Sequence, residues 1–398
     1  EKSYYWLTNA ANQGDSSSMF MLFMNYNLDS KESGNNASEY KDKASFWFKK
    51  ASEAGYFKDK ENHFSKAMDT ISKGDLSKAD LYLHGAIKGD SKAQTSLGVC
   101  YLYGDGIEYH AGKAMMWLTK ALENGEHDAN YYLGEIYYRG YGVDKDSNKA
   151  FRFYLKAAKE GVIQAQYQLA VYYEETESDD EKATYWYEKA ANNGHALSQA
   201  FLGMSYANGK GIPLDIEKGI FWLKKSIKQN RSSAGYAEHG LGIIYKDKKE
   251  DFVEAMYWLN KSADRGYMYA QSDLAEIYAR GKDVERDFGL ALELYHKAAA
   301  QGEVDAQCSL GYMYEWGYGV KVNYELAIEW YKKAIAQGDG DSMFLLGLLY
   351  LEGKGVTKSL EEAAKWINKA RNNEGISYQR DEAERIWSER NLSQYLKK

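Results

Sequence analysis

The residues of this chain that could do covalent chemistry are few and scattered. Its seven histidines show no H-E-x-x-H or other ligand-like spacing, and Cys100 and Cys308 are far apart in the sequence. No G-x-S-x-G nucleophile elbow, phosphate-binding P-loop or Cys/His constellation is present. Carboxylates are abundant, so an acid pair assembled in space remains open. The sequence predicts that the chain is not an enzyme and takes no metal or cofactor.

Side chains suited to binding another protein are more conspicuous. Tyr312 and Trp316 are four residues apart, which places them one helical turn from each other. Exposed Trp, Tyr and Arg carry much of the binding energy at protein interfaces. The alternative is that Trp316 folds back onto the neighbouring loop. Trp316 and Trp387 are the two tryptophans that lie outside a repeated site.

The elements that would position these side chains are copies of one unit. Eight leucines recur at intervals of 33 to 39 residues, and a tyrosine follows each of them by four residues. Spacing by four places both side chains on one helix face, and a single proline, Pro213, favours helices throughout. The leucines are Leu97, Leu133, Leu169, Leu202, Leu241, Leu274, Leu310 and Leu346.

A second helix in each unit carries an alternation of small and large residues. An alanine or glycine lies three residues before a site that is usually tryptophan, and another small residue lies four residues after it. Phe153 and Leu294 are the exceptions. We interpret these tryptophans as core residues, because alternating sizes pack two helices without voids. They are Trp6, Trp47, Trp117, Trp186, Trp222, Trp258, Trp330 and Trp366.

Glycine pairs separated by one residue stand between the two helices of five units, as in Gly140-Tyr-Gly142. A dinucleotide-binding G-x-G follows a strand, whereas these pairs follow helices. We therefore interpret them as turns in which glycine supplies a positive φ. In two units this turn is three residues shorter, at residues 174–181 and 246–252. Residues 229–240 contain a three-residue insertion, which we place between helices.

The repeated pattern resembles that of the Sel1-like repeat family, a relative of the tetratricopeptide repeat. In residues 129–161 the matching positions are Ala129, Leu133, Gly134, Tyr137, Gly140, Gly142, Val143, Lys149, Ala150, Tyr154, Lys156, Ala157, Ala158 and Gly161. The resemblance implies an all-α fold, a right-handed superhelical solenoid of antiparallel helix pairs, and an adaptor role. Cysteine-rich members linked to β-lactam binding carry a disulfide in every repeat, which this chain lacks. Other members look like immunity proteins that silence an effector enzyme.

We divide the chain into three parts. Residues 1–92 are degenerate repeats that start in mid-repeat, with Phe64 at the leucine position. Residues 93–374 hold eight clear repeats, and residues 375–398 form a C-terminal capping helix. A polar terminal element is what an array needs to cover its last open face.

The relation to the tetratricopeptide class places partner binding in a concave groove lined by the first helices. Carried over through the leucine and tyrosine register, thirteen residues are predicted to line it. They are Tyr103, Tyr131, Glu135, Tyr138, Arg139, Tyr167, Glu276, Arg280, Tyr312, Glu315, Trp316, Phe344 and Leu351. These positions vary from unit to unit, as expected of a surface shaped for one partner and equally of an unconstrained surface.

Charge and hydropathy narrow the class of partner. The net charge is −7 with no block of lysine or arginine, so nucleic acid is not expected. The longest apolar run, residues 344–351, is about half of a ~20-residue membrane span, so no span is expected. We expect a monomer that binds a protein or peptide. The compartment is left open, with the bacterial cytoplasm or periplasm favoured, and the absence of a starting methionine leaves room for a leader that was removed. An inhibitor of one effector enzyme is the alternative to an adaptor, and a β-lactam-binding or hydrolytic enzyme is the remotest reading.

Overall fold

The computed structural model describes residues 78–229, 231–373 and 379–396, together with residues 12, 22, 43, 46, 47 and 50. This part of the chain contains eighteen α-helices and one 3-10 helix, and no strand. The all-α prediction is confirmed for it. Phe64 and most of the degenerate repeats lie outside the described residues. The chain forms two compact units, Glu1–Glu177 and Ser178–Lys398, which are taken in turn.

The described part of the first unit contains six helices, and each helix packs against the next. They are α1 (Lys78–Ile87), α2 (Ser91–Tyr103), α3 (Ala111–Glu123), α4 (Ala129–Arg139), α5 (Ser147–Lys159) and α6 (Ile163–Glu175). The even-numbered helices carry the repeated leucine, and α3 and α5 carry the tryptophan site.

The second unit continues the same alternation of first and second helices. Its helices are α7 (Asp180–Asn192), α8 (Ala196–Asn208), α9 (Ile216–Gln229), α10 (Arg231–Asp247), α11 (Phe252–Asp264), α12 (Met268–Arg280), α13 (Phe288–Ala300), α14 (Val304–Trp316), α15 (Tyr324–Ala336), α16 (Gly340–Glu352), α17 (Leu360–Arg371) and α18 (Arg380–Glu389), followed by the 3-10 helix Leu392–Tyr395.

The glycine pairs form turns, as predicted, and in four of the five pairs the second glycine also contacts the preceding repeat. Gly140 and Gly317 end their helices with φ values of 73° and 74°. A Cβ on Gly319 would lie 2.6 Å from the carbonyl oxygen of Phe288, at the start of the preceding second helix. The second glycine is therefore required by a close approach of two backbones as well as by its φ.

The insertion that we placed between helices is instead part of a helix. Helix α9 ends at Gln229 and α10 begins at Arg231, and α10 has 17 residues where the first helices around it have 13. The helix is thus four residues longer than its neighbours, which is about one turn of 3.6 residues, so it lengthens and keeps its core face.

The prediction that the repeated tryptophans are core residues needs correction. Trp117 is buried, but the other described tryptophans of this site are partly exposed at the edge of the core. The next residue fills the core, because one step along a helix turns the side chain by about 100°. These core residues are Leu118, Tyr154, Tyr187, Leu223, Leu259, Tyr295, Tyr331 and Ile367.

The tryptophans instead cover the flank of the core, and in five of them a lysine three residues later lies over the ring. These five are Trp117, Trp222, Trp258, Trp330 and Trp366. The Lys333 Nζ atom is 3.6 Å from the centroid of the Trp330 ring, and Lys225 Nζ is 4.5 Å from that of Trp222. A cation over an aromatic face is favourable and keeps its charge in water. This explains the recurring pair of tryptophan and lysine in the sequence.

Buried glutamines connect successive repeats, a feature that we did not predict. The side-chain amide of Gln307 donates to the carbonyl of Ala299, at the end of the preceding second helix, over 3.3 Å. Its oxygen accepts from Gln337 over 3.0 Å. Gln199 makes the same bond to Ala191 over 3.0 Å. The sequence signal is a glutamine three residues before the leucine.

Candidate functional site

The thirteen predicted groove residues fall into two sets, one in each unit. Six belong to α2, α4 and α6 of the first unit, and seven belong to α12, α14 and α16 of the second. Each set is described within its own unit.

In the first unit, aromatic side chains form a surface that we call the tyrosine surface, comprising Tyr103, Tyr131, Tyr138, Tyr167 and Arg139. Tyr103 and Tyr138 are exposed, while Tyr131 and Tyr167 are half-buried. Burial, followed by the charge of Glu135, raises the pKa of Tyr103 to about 12. Tyr103 therefore stays neutral at physiological pH.

Glu135, also predicted to line the groove, is buried beneath the tyrosine surface. Its carboxylate accepts hydrogen bonds from the Tyr154 hydroxyl over 2.6 Å and from Gln168 Nε2 over 3.1 Å. Arg139 Nε donates to the same carboxylate over 2.8 Å, while half of the arginine side chain remains exposed. Glu135 thus fixes the position of Arg139, and Arg139 is the member of the pair that a partner can reach.

In the second unit, three of the predicted residues line a groove of about 520 Å³. Glu276 and Arg280 come from α12, and Tyr312 comes from α14. We define the groove by these residues and by Asp305, Asp339 and Asp341, which lie at its floor. The groove thus brings together Glu276, Arg280 and Tyr312, and their role in binding a partner stays a prediction.

Aromatic rings continue from the groove wall onto the surface. The Tyr312 ring lies 5.9 Å from that of Tyr318 and 6.0 Å from that of Trp316, centroid to centroid. Tyr312 is 40% exposed and Trp316 is 52% exposed. Lys354 Nζ, from the next turn, lies 5.7 Å from the Trp316 ring. Trp316 therefore packs beside Tyr312 and keeps half of its surface open to solvent.

Three predicted residues of the second unit do not offer an open surface. Phe344 is 2% exposed and packs with Ile367 and Leu392 in the cluster that α18 and the 3-10 helix cover. Leu351 is partly buried against the same cluster. Glu315 is buried and accepts a hydrogen bond from the Tyr331 hydroxyl over 2.8 Å. The repeat register could not show this, because the residues that cover Phe344 do not belong to the repeat.

The floor of the groove is acidic. Burial raises the pKa of Asp305, and the carboxylates of Glu303 and Asp339 raise it further. Burial likewise raises the pKa of the Cys308 thiol, and Asp339 adds to the effect. At both side chains burial is the main cause, and the neighbouring carboxylates add to it.

Two groups of surface residues were missed from the sequence. Asp305 and Asp341 each lie five residues before the repeated leucine, and none of the thirteen predicted groove residues occupies that position of the repeat. Tyr185, Phe221 and Tyr257 precede the tryptophan in α7, α9 and α11, and more than half of each side chain is exposed. The signal for the second group is an aromatic residue directly before the tryptophan in three consecutive repeats.

Among the described residues, no group of three or more His, Cys, Asp or Glu side chains is arranged to hold a metal ion. In the same part of the chain, no helix has the length and apolar character needed to cross a membrane.

Consecutive antiparallel helix pairs, each spanning 33 to 39 residues, define a tetratricopeptide-like repeat protein. The chain belongs to the Sel1 repeat family, as predicted, since the Sel1 repeat pattern matches ten of its segments. These are residues 1–15, 41–56, 91–126, 127–162, 163–195, 196–230, 235–267, 269–303, 304–339 and 340–374.

Similarity to individual proteins agrees with this assignment. The chain is 34% identical over 67 residues to the Sel1-repeat-containing protein YjcO of Escherichia coli K12, a match that spans 17% of this chain and 28% of YjcO. The crystal structure of c5321, a protective antigen of uropathogenic E. coli with an SLR fold, is 29% identical with a TM-score of 0.61, covering 92% of this chain and 79% of c5321. A Sel1 repeat protein from Oxalobacter formigenes is 28% identical with a TM-score of 0.55, covering 87% of this chain and 89% of that protein.

Proposed function

We propose that this chain is a non-enzymatic scaffold whose second unit binds a segment of a protein partner in the groove. The observation that carries the proposal is the pair Tyr312 and Trp316. Tyr312 lines a concavity of about 520 Å³, and the half-exposed Trp316 packs beside it. Exposed aromatic residues beside a concave surface are typical of the energetic centre of a protein interface.

The size of the expected contribution supports this role. A Tyr or Trp side chain can bury about 150–250 Å² on contact with a partner. With roughly half of that area still exposed and about 25 cal/mol per Å², covering each ring would contribute on the order of 2–3 kcal/mol. Two such residues supply a large share of a micromolar affinity, which corresponds to about 8 kcal/mol.

The groove is also held in place before a partner arrives. Tyr318 packs on Phe288 with the rings stacked at 4.9 Å, and Tyr312 packs on Tyr318. Phe288 and Tyr318 in turn pack against a buried cluster that includes Ala291, Tyr295 and Leu310. Binding to a preformed surface costs less conformational entropy than binding to a mobile one.

We assign the tyrosine surface of the first unit to partner contact as well. Tyr103 and Tyr138 are exposed, and Arg139 is held by the buried Glu135. Tyrosine and arginine are the residue types that interfaces favour. This surface is the weaker candidate, because the first-unit cavity of about 580 Å³ is lined by Tyr137 and residues 143–149 and not by these side chains.

Affinity capture from the source cell, followed by quantitative mass spectrometry, tests the proposal. The full chain is compared with the double variant Tyr312→Ala/Trp316→Ala. The matched control is Tyr185→Ala/Phe221→Ala, since these two rings are equally exposed in the same unit but lie on second helices. We expect a partner that the control retains and that the groove variant loses by about tenfold or more. Equal recovery by both variants, with unchanged helical circular dichroism, would contradict the proposal.

The same capture separates an adaptor from an inhibitor. If the chain is an inhibitor, the recovered partner should be an enzyme whose activity falls when the wild-type chain is added. The activity of that enzyme should stay unchanged when the groove variant is added. An adaptor predicts a complex without that loss of activity.

A further inference from the structure

We infer that the second unit has a further binding site, a pocket that accepts the aromatic ring of a tryptophan side chain from a protein partner. The pocket has a volume of about 390 Å³ and is lined by residues of α11, α12 and α13. It shares no lining residue with the groove described above. The inference therefore does not depend on the proposed function.

The pocket lies in the repeat whose tryptophan site has no aromatic residue. In the described second helices α3, α5, α7, α9, α11, α15 and α17 this site holds a tryptophan or, in α5, Phe153. In α13 it holds Leu294. A leucine is smaller than an indole and has no flat π-face. The repeat formed by α12 and α13 thus lacks the ring that the other repeats carry.

Trp330, in the next repeat, shows how such a ring is normally held. Its ring centroid lies 5.7 Å from that of His296, which belongs to the preceding second helix. The His296 Nε2 atom contacts the Tyr314 hydroxyl over 3.1 Å. Trp330 also packs against the buried cluster that contains Leu310. The ring therefore fills the space beside α13 and α14.

The pocket is the same space one repeat earlier. Counting back 36 residues from Trp330 and from the three residues around it gives four residues that line the pocket. They are Leu294, Asn260, Tyr278 and Leu274. The cavity is thus bounded by the positions of the repeat that surround an indole in the next copy.

A cation is available to an entering ring. In α15, Lys333 Nζ lies 3.6 Å from the centroid of the Trp330 ring. Lys297 is the corresponding residue of α13 and lines the pocket, and its Nζ atom instead contacts Glu293 Oε1 over 2.6 Å. Both side chains of this ion pair are more than half exposed, and such a pair contributes little to stability. The ammonium group can therefore turn onto the negative face of a ring that enters.

The polar residues of the pocket favour a side chain within a polypeptide over a free aromatic compound. Asn260, Asp264 and Lys297 line the pocket and are exposed, so the pocket can be reached from solvent. Their amide, carboxylate and ammonium groups can form hydrogen bonds with the peptide groups on either side of an entering tryptophan. An aliphatic side chain would gain nothing from the cation, because it has no π-face.

A titration of the full chain by ligand-observed fluorine NMR tests the inference. The probe is N-acetyl fluorotryptophan amide, which carries a peptide group on each side of its indole side chain. We expect saturable binding with a Kd on the order of 0.1–1 mM, as for a good ligand of this size. Leu294→Trp fills the pocket with a ring of the chain itself. It should abolish binding while Tm stays the same or rises.

The control variant is Tyr185→Trp, which also adds an indole to the second unit, at an exposed position of α7. It should bind the probe as the wild type does. Trp330→Leu should open an equivalent pocket one repeat later, so that each chain binds two probe molecules where the wild type binds one. Lys297→Met should weaken binding by about two- to fivefold, as expected for an exposed cation–π contact. This exposed substitution keeps the test decisive if Leu294→Trp is not folded.

The inference is overturned if the wild type does not bind the probe at millimolar concentration, or if Leu294→Trp, folded by circular dichroism, binds it unchanged. Displacement of the probe by N-acetylleucine amide as readily as by N-acetyltryptophan amide would contradict the requirement for an aromatic ring. Free indole that binds more tightly than the probe would contradict the assignment to a side chain of a protein.

Discussion

The hydroxyl of Tyr331 donates a hydrogen bond to the buried carboxylate of Glu315 over 2.8 Å. The first unit contains a counterpart, in which Tyr154 donates to Glu135 over 2.6 Å. In both pairs the tyrosine follows the tryptophan site, and the glutamate belongs to the first helix of the same repeat. Core tyrosines thus hold carboxylates directly below the two candidate binding surfaces.

A glycine beside the leucine makes room for this tyrosine. A Cβ on Gly311 would lie 2.4 Å from Cε1 of Tyr331. We expect Gly311→Ala to destabilise the protein by about 1–3 kcal/mol, because overpacking outweighs the gain in helix propensity. Gly112→Ala is the control, since its Cβ would meet nothing closer than 3.4 Å, and it should be neutral or stabilising. Urea unfolding followed by circular dichroism measures both, and equal midpoints would show that the close contact has no cost.

The Glu315 carboxylate should make stability depend on pH. Burial raises the pKa of Glu315 above the ordinary value of 4.5, although the bond from Tyr331 opposes this. A pKa that folding raises means that protonation of Glu315 stabilises the folded state. The contribution of Glu315 to the free energy of unfolding therefore increases as the pH falls through the raised pKa toward 4.5. It is lost as the pH rises through the raised pKa. Glu315→Gln keeps the acceptor without the charge. We therefore expect the stability of the variant relative to wild type to be greatest at neutral pH and to shrink on acidification.

Thermal unfolding of both proteins at several pH values checks this prediction. The difference in Tm between Glu315→Gln and wild type should decrease steadily from pH 7 toward the ordinary pKa of a glutamate, about 4.3. A difference that stays constant or grows on acidification would show that Glu315 does not titrate with a raised pKa.

Arg265 and Glu238 form a charged counterpart of the bond between Gln337 and Gln307, and like it they join the two helices of one repeat. Glu238 is fully buried, and Arg265 Nε donates to its Oε2 over 2.6 Å. We expect Arg265→Ala to cost about 1–3 kcal/mol, because it leaves a buried carboxylate without its counter-charge. The double variant Glu238→Gln/Arg265→Ala should recover most of the loss. Denaturant midpoints of the single and double variants measure this, and a double variant no more stable than Arg265→Ala would refute it.

The fold could be predicted from the sequence because its signal is repeated. The leucines, their tyrosines and the glycine turns recur, and a helix period of about 3.6 residues converts that recurrence into helix pairs. The same reasoning placed the core one residue away from its true position in the second helix. Trp330 and Tyr331 are both large and adjacent, and only packing against the first helix decides that Tyr331 is the buried one.

The candidate site was predictable only in part. Tyr312 and Trp316 could be found because they break the repeat pattern on an expected face. The acidic floor could not, because Asp305 and Asp341 are brought together by the stacking of two repeats. Phe344 was misplaced for a related reason, since the helix that covers it lies outside the repeat.

Site-specific photocrosslinking in the source cell tests the central proposal most directly. A photoreactive phenylalanine derivative is placed at position 316 in one variant and at position 185 in another. Trp316 and Tyr185 are 52% and 51% exposed in the same unit, so the two probes are almost equally accessible. They differ in location, because Trp316 lies on a first helix and Tyr185 on a second helix. The proposal predicts a crosslinked protein partner from position 316 and not from position 185. Crosslinking from position 185 alone, or from neither position, would contradict it.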